Sequence, residues 1–227
     1  GIFKGFANDS IQPNFAHLET FGQEWISAGL AFKPYACGTM TQPFVDCAIR
    51  ASKQFKLTDV QRIHAHVGEG TVHRLWEPLE EKRRPSTPYG AKFSVPYCIA
   101  IGFLDQKVGL QEFTEQQLER QDLKDLTAKI DYFINPDDPY PAEYAGWIDV
   151  TDIHGQVHSF QQPCLRGGKR EPMAPSELDD KFTNNLLFAG LKSNDVQLAK
   201  DSIHHLFYSE QNTRECLKTL TTIGGKR

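Results

Sequence analysis

Apolar positions after residue 41 recur with a helical period, with Phe44, Val45, Ala48, Ser52 and Phe55 falling on one face. The pattern predicts a helix beginning near Thr41, where Pro43 fits the first turn because its missing N–H would be unpaired there. The period changes at Val60–Val67 (VQRIHAHV), whose alternation and β-branched residues predict a strand ended by Gly68-Glu69-Gly70. Val72 to Leu79 reads as a short helix stopped by Pro78, and Glu80 to Pro85 (EEKRRP) as a charged, solvated loop. Ala91 to Asp105 predicts a strongly apolar helix carrying Phe93, Tyr97, Ala100, Ile101 and Leu104. Pro96 requires that this helix either start near Val95 or bend there. Thr114 followed three residues on by Gln117 has the capping-box pattern and predicts a charged surface helix to about Ile130. Asp131 to Pro141 is dense in aspartate and proline, giving a loop or a short strand followed by a loop. Tyr144–Thr151 and Gln156–Gln161 alternate around Ile153-His154-Gly155, which predicts a β-hairpin. Ser176 to Asp179 opens a helix with Leu178, Phe182, Leu186 and Ala189 in line, and a final helical pair runs from Asp195 to Leu220.

Ahead of these, Gly1 to Leu30 holds a short apolar opening (Ile2, Phe3, Phe6), a polar linker through Pro13 and a segment ending in Trp25 and Ile26. Helices, then mixed elements, then helices predict an α+β fold in three parts. Residues 1–29 are the tail of a helical domain, 30–172 an α+β domain, and 173–227 C-terminal helices returning to the helical domain. The terminal stripes (Leu178, Phe182, Leu186, then Leu198, Ile203, Leu206 and Phe207) call for a partner surface, since the middle region has its own elements to cover it.

With 227 residues, 39% of them apolar, the chain can bury a substantial core. Charges of both signs are mixed and the net of -4 gives no footprint for nucleic acid or an anionic membrane. No apolar run reaches the length that spans a bilayer, and the opening GIFKGFANDS lacks the regions of a secretory signal, so a soluble, cytoplasmic protein is expected. The chain does not begin with methionine, which suggests a processed or truncated product. Cys37, Cys47, Cys98, Cys164 and Cys216 are odd in number and contain no CxxC pair. They signal neither a disulfide framework nor a zinc site, and reduced thiols are expected.

Candidate chemistry centres on Lys33 and the turn Cys37-Gly38-Thr39. A helix N-terminus beginning near Thr41 has free N–H groups and a partial positive charge, so the turn ahead of it can seat a carboxylate with Lys33 as a second donor. The alternative is a surface lysine beside an ordinary tight turn. Cys37 is either a small buried turn residue or a thiolate stabilised by Lys33 and the helix. On the apolar helix the polar groups are Lys92 and Tyr97. The tyrosine is either a proton donor at a cavity or a core residue whose hydroxyl is satisfied by backbone. His64 and His66 point to one strand face, as two metal ligands or as packed imidazoles, and no third ligand stands at readable spacing. Arg166-Gly167-Gly168-Lys169-Arg170 reads as an anion-wrapping loop or a flexible surface loop, and lacks the spacing of a P-loop.

The run Lys33–Arg50 (KPYACGTMTQPFVDCAIR) resembles the motif that opens the smaller domain of the MmgE/PrpD family. Tyr89–Leu118 (YGAKFSVPYCIAIGFLDQKVGLQEFTEQQL) and Arg166–Phe182 (RGGKREPMAPSELDDKF) resemble two further stretches of that domain, in the family's order. The resemblance implies an α+β lid domain closing over an all-helical domain, with the active site between them, in a homodimer. It implies dehydration, decarboxylation or epimerisation of a di- or tricarboxylic acid, without metal or organic cofactor. Lys33 matches a substrate-binding lysine and Tyr97 an active-site tyrosine. Cys37, Gly38, Thr39 and Lys92 go with Lys33 as substrate-binding residues. Several members carry a histidine five residues after the lysine or just before the helix proline, where this chain has Gly38 and Gln42, so the reaction subtype is left open. The family's long helical first half has no counterpart here and would be the chain's partner. Residues 1–227 alone are therefore not expected to turn over substrate. Two other classes fit the same residues: a carboxylate-binding domain without turnover, and a structural partner of a separate helical subunit.

Overall fold

The computed structural model describes residues 5, 15–208 and 213–225. The apolar opening at Ile2, Phe3 and Phe6 and the polar linker up to Pro13 lie outside the described residues. A helical turn, α1 (Ala16–Glu19), precedes the main body, which runs α2 (Gln42–Ser52), β1 (Val60–Val67), α3 (Glu69–Leu75), α4 (Leu79–Arg83), α5 (Pro88–Ala91) and α6 (Val95–Asp105). It continues through α7 (Glu115–Leu118), α8 (Gln121–Thr127), β2 (Ile130–Ile134), β3 (Gly146–Asp152) and β4 (Val157–Gln162) to α9 (Pro175–Phe188), α10 (Ser193–Tyr208) and α11 (Thr213–Gly224). This is an α+β architecture.

The sheet order is β2-β1-β3-β4, with β1 parallel to β2 and antiparallel to β3, and β3 antiparallel to β4. A parallel pair needs a long crossover, and α3 to α8 supply it. Period-two alternation sends Ile63, Ala65, Val67, Ile148, Val150 and Phe160 to one buried face. There α2 lies on β3 and β4 and packs against α6. Each large side chain fully buried in that layer contributes roughly 1.5–3 kcal/mol, and Ile63, Ile99, Ile101 and Ile148 are all inaccessible. Gly146 lets β3 start directly against α2, because a Cβ there would meet the Pro43 carbonyl carbon at 2.5 Å.

The helix predicted near Thr41 begins at Gln42 after a 3-10 turn at Thr39–Thr41. Of the two alternatives for the apolar helix, the chain takes the start at Val95: Ser94 accepts a hydrogen bond from the Tyr97 amide, and Pro96 sits harmlessly in the first turn. The strand at Val60–Val67 and the hairpin are as expected. Asp131 to Pro141 takes the short-strand alternative, as the end of β2.

Two expectations are corrected. Glu80 to Arg83 is not a solvated loop but part of α4, with glutamates in its first turn and Lys82 and Arg83 in its last, the order that suits the helix dipole. Arg83 donates to the Ile130 carbonyl at 2.7 Å and Lys82 to the Phe93 carbonyl at 3.1 Å, so the basic residues join α4 to β2 and to the link before α6. The single charged helix expected from Thr114 to Ile130 is broken at Arg120. Its guanidinium is held by Asp105 and Asp122, each at 2.7 Å, while its backbone is extended. Thr114 makes no side-chain cap bond.

Among the described residues, no helix is long and apolar enough to cross a membrane. Val196, Ala199, Cys216 and Ile223 of the last two helices are buried, whereas Leu198, Phe207, Trp25 and Phe32 are exposed.

Candidate functional site

The chain from Lys33 to Thr41 is fixed from both sides before it enters α2. On one side Gly167 carries a φ of +90°, and a Cβ there would lie 2.0 Å from the Phe32 carbonyl oxygen, so only glycine permits the approach. The Phe32 amide donates to the Gly167 carbonyl at 2.9 Å. On the other side the Gly38 amide donates to the Lys92 carbonyl at 2.8 Å, and the Gly38 carbonyl accepts from the Thr41 hydroxyl at 2.7 Å. A Cβ at position 38 would press on the Phe93 ring at 3.2 Å and the Lys92 carbonyl at 3.3 Å. A histidine at this position would need Phe93 to give way.

The ammonium of Lys33 donates to the Cys37 carbonyl at 3.1 Å and so folds back over its own turn. Cys37 is buried beneath it, and so is Cys98 of α6, whose thiol donates to the Ala91 carbonyl at 3.6 Å. Burial works to raise the Cys37 thiol, but its polar neighbours Cys98 and Thr41 and the charge of Lys33 outweigh it, and the thiol lies below its ordinary value. Burial and the neighbouring Cys37 push Cys98 well up. The Thr39 hydroxyl has no hydrogen-bond partner among the described residues. Lys92 places its ammonium 5.6 Å from the centre of the Phe113 ring.

Lys181 of α9 joins this group and was not singled out in the sequence. Burial depresses its ammonium, the thiol of Cys37 opposes that shift, and Lys33 adds to it through like-charge repulsion. Lys181 forms no ion pair among the described residues. With Pro34, Tyr35, Asp46, Lys107 and Asn184 it lines a cavity of about 610 Å³, a volume suited to a small-molecule site. Its only signal in the sequence was a basic residue within an apolar-striped helix.

Arg166 behaves differently. Its guanidinium donates to Asp46 at 2.9 Å, to Glu177 at 2.6 Å and to the Tyr35 hydroxyl at 3.1 Å, while Tyr35 donates to Asp46 at 2.5 Å. Burial raises the Asp46 carboxyl, with the Tyr35 bond and the Arg166 charge holding it back. This network ties α2, α9 and the turn after Lys33 together. Neither sequence reading of Arg166–Arg170 describes it, because the arginine is already paired with protein carboxylates.

Tyr97 is buried and its hydroxyl donates to the Glu112 carbonyl at 2.9 Å, with burial pushing the phenol above its ordinary value. That bond matches the core-tyrosine alternative. Among the described residues the hydroxyl makes no hydrogen bond to Lys33 or Lys92; Tyr97 and Lys92 both pack on Phe113. The hydroxyl's own neighbourhood is a second cavity of about 330 Å³ bordered by Arg83, Arg84 and Lys124.

His66 stacks on Trp147 at 3.7 Å and bonds Asp149 at 2.8 Å, while His64 packs edge-on against Phe133. Ser159 and Trp147 also donate to Asp149. Among the described residues no group of three or more histidine, cysteine or acidic side chains is arranged to hold a metal. Gln42, where a histidine stands in some family members, is fully buried with neither amide atom hydrogen-bonded.

Residues 35–202 match the family model described as the MmgE/PrpD C-terminal domain. The chain belongs to the MmgE/PrpD family. The matched stretch contains Cys37, Gly38, Thr39, Lys92, Tyr97, Arg166 and Lys181, and starts two residues after Lys33. Over 159 residues the chain is 24% identical to cis-aconitate decarboxylase of Mus musculus, covering 69% of this chain and 32% of that relative. The chain thus spans about a third of the length of the curated relative it matches. The matched range therefore includes the Cys37 turn, Cys98 of α6 and Lys181 of α9.

Proposed function

We propose that this chain supplies the carboxylate-binding side of a lyase or isomerase site that acts on a di- or tricarboxylic acid by dehydration, decarboxylation or epimerisation. The observation that carries the reading is that Lys33, folded over the Cys37 turn, and Lys181, on the wall of the 610 Å³ cavity, form no ion pair among the described residues. A carboxylate bound by either gains a charge-assisted hydrogen bond worth about 1.5–3 kcal/mol. Thr39 adds a free hydroxyl and Lys92 a third cation by way of the Gly38–Lys92 bond. In the family, the named relative is a decarboxylase, which supports the lyase class for this chain.

Neutralised carboxylates lower the cost of building negative charge on the neighbouring carbon, which is the common step of these reactions. Tyr97, kept protonated by its burial, is the proton donor of the proposal, and it must exchange the Glu112 carbonyl for substrate to act. Gly38 and Gln42 supply no acid or base. The remaining proton carrier is assigned to an all-helical domain facing the lysines, in a homodimer, with no metal or organic cofactor. The test is a panel of citrate-like and aconitate-like acids offered to the chain with and without such a helical domain. Calorimetric binding that requires two carboxylates, with turnover only when both parts are present, is the expected result. Failure to bind any polycarboxylate overturns the proposal.

A second reading, carboxylate binding without turnover, is favoured by one observation: the positions of the family's histidine are Gly38 and Gln42. Binding with no product from the assembled protein would select it.

A further inference from the structure

In the charge run Glu80–Pro85, Lys82 and Arg83 join α4 to its neighbours, whereas the Arg84 side chain does not. Pro85 disfavours helical backbone at Arg84, which closes α4 at φ −131° and ψ 68°. The Arg83 side chain is 17% exposed and its guanidinium is held by the Ile130 carbonyl and Glu80. Arg84 is exposed, and its guanidinium forms no hydrogen bond or ion pair among the described residues.

Both arginines line the cavity of about 330 Å³ whose other walls come from α6, α7 and α8. Leu118, Leu123 and Tyr97 give it apolar lining, Lys124 adds a third cation, and Ser86 adds a hydroxyl with no hydrogen-bond partner among the described residues. The acid in the lining, Glu119, pairs with Lys124 at 2.8 Å, but the Glu119 side chain is 82% exposed, so the pair holds Lys124 only weakly. This cavity shares no lining residue with the one that contains Lys181. We propose that it is a second anion site, which takes a phosphate monoester with an apolar or aromatic body.

Charge, shape and volume each bear on that class. Arg84 and Lys124 are the two cations available to a ligand, and a phosphate monoester brings close to two negative charges at neutral pH. The planar fork of a guanidinium matches two phosphate oxygens, while an ammonium serves as a point charge. The volume is at the low end for small-molecule sites. It equals about eleven waters at roughly 30 Å³ each, more than a bare phosphate fills, and Leu118, Leu123 and Tyr97 favour an apolar group in the remaining space. The inference does not depend on the reaction proposed for the Lys33 and Lys181 side of the domain.

The experiment titrates the chain with phenyl phosphate by isothermal calorimetry at about 0.15 M ionic strength, with inorganic phosphate titrated in parallel. Saturable binding of one phenyl phosphate per chain, tighter than inorganic phosphate, is the expected result. Arg84→Met and Lys124→Met should each weaken it by about 10-fold, the lower end for one lost charge-assisted hydrogen bond, because water reaches both cations. Arg62→Met removes a half-exposed cation from β1 and should leave the binding unchanged. The Arg84 side chain makes no bond within the described fold, so its variant tests the site without weakening the protein, as circular dichroism will verify. No binding of phenyl phosphate, binding that Arg84→Met and Lys124→Met leave intact, a loss that Arg62→Met reproduces, or inorganic phosphate bound as tightly as phenyl phosphate overturns the proposal.

Discussion

Replacing Arg166 with methionine isolates the network that anchors the Lys33 turn, and its cost follows from which of the three bonds are shielded from water. The Glu177 arm involves a carboxylate whose side chain is 42% exposed, so it contributes little. The Asp46 arm joins side chains only 19% and 7% exposed, and removing one partner of such a pair typically costs about 3–5 kcal/mol. Among the described residues Asp46 Oδ2 has no hydrogen-bond partner, so after the substitution Tyr35 is the one hydrogen-bond donor to that carboxylate there, with Arg50 acting through its charge. A loss of about 3 kcal/mol at neutral pH is expected. The sign of the pH dependence follows from Asp46, whose carboxyl is raised by burial in the folded protein and rises further without Arg166. A carboxyl raised on folding penalises the native state above its folded pKa, and acidification through that pKa removes the penalty. The deficit of Arg166→Met should therefore shrink in mildly acidic buffer, toward the about 1 kcal/mol of ordinary lost hydrogen bonds. Urea denaturation followed by the fluorescence of buried Trp76 measures both values. Adding Asp46→Asn to Arg166→Met should recover most of the neutral-pH loss, as coupling between contacting residues requires. A neutral-pH deficit under about 1 kcal/mol, or one that grows on acidification, refutes the argument that Arg166 neutralises a buried Asp46.

Lys33→Ala and Lys181→Ala should each weaken polycarboxylate binding by roughly 10–100-fold, the equivalent of one charge-assisted bond, in calorimetry of protein with unchanged circular dichroism. Unaltered affinity removes the residue concerned from the site. Gly167→Ala places a methyl group against the Phe32 carbonyl at a left-handed φ and should destabilise by about 1–3 kcal/mol in urea titration while also loosening carboxylate binding; a neutral effect contradicts the close approach. Tyr97→Phe in a complete enzyme should lower kcat more than it raises KM if the hydroxyl moves a proton. Equal activity leaves Tyr97 with the core role its Glu112 bond already describes.

What the sequence revealed divides by how locally each feature is decided. The strand at Val60–Val67 and the hairpin are written in short-range periodicity, and the start of α6 at Val95 was one of two options that local proline geometry allowed. The α4 helix and the break at Arg120 depend on distant acceptors: Arg83 needs the Ile130 carbonyl, and Arg120 needs Asp105. Periodicity carries no trace of such partners, so a charge run looked like solvated surface and two short helices looked like one. The same division runs through the site. Lys33, Cys37, Gly38 and Thr39 were visible because they precede a helix within a few residues, whereas Lys181 reaches the cavity wall beside Pro34 and Tyr35 only through the packing of α9.

The cations show why residue type alone could not point to the proposed binding site. Arg166 stands in a glycine-rich basic loop, the more conspicuous sequence feature, yet Asp46 and Glu177 already satisfy it, and an incoming carboxylate there would compete with two that are fixed in place. Arg50 is likewise engaged, by Gln162 and the Gln161 carbonyl. Lys33 and Lys181 form no ion pair with a carboxylate among the described residues, and Lys33 donates instead to the Cys37 carbonyl. The cavity wall that includes Arg166 also carries Lys53, Lys107 and Lys181 beside Glu112 and Asp180. Under the proposed function, a polycarboxylate would bind at Lys181, with Arg166 holding the Tyr35 turn rather than touching the substrate.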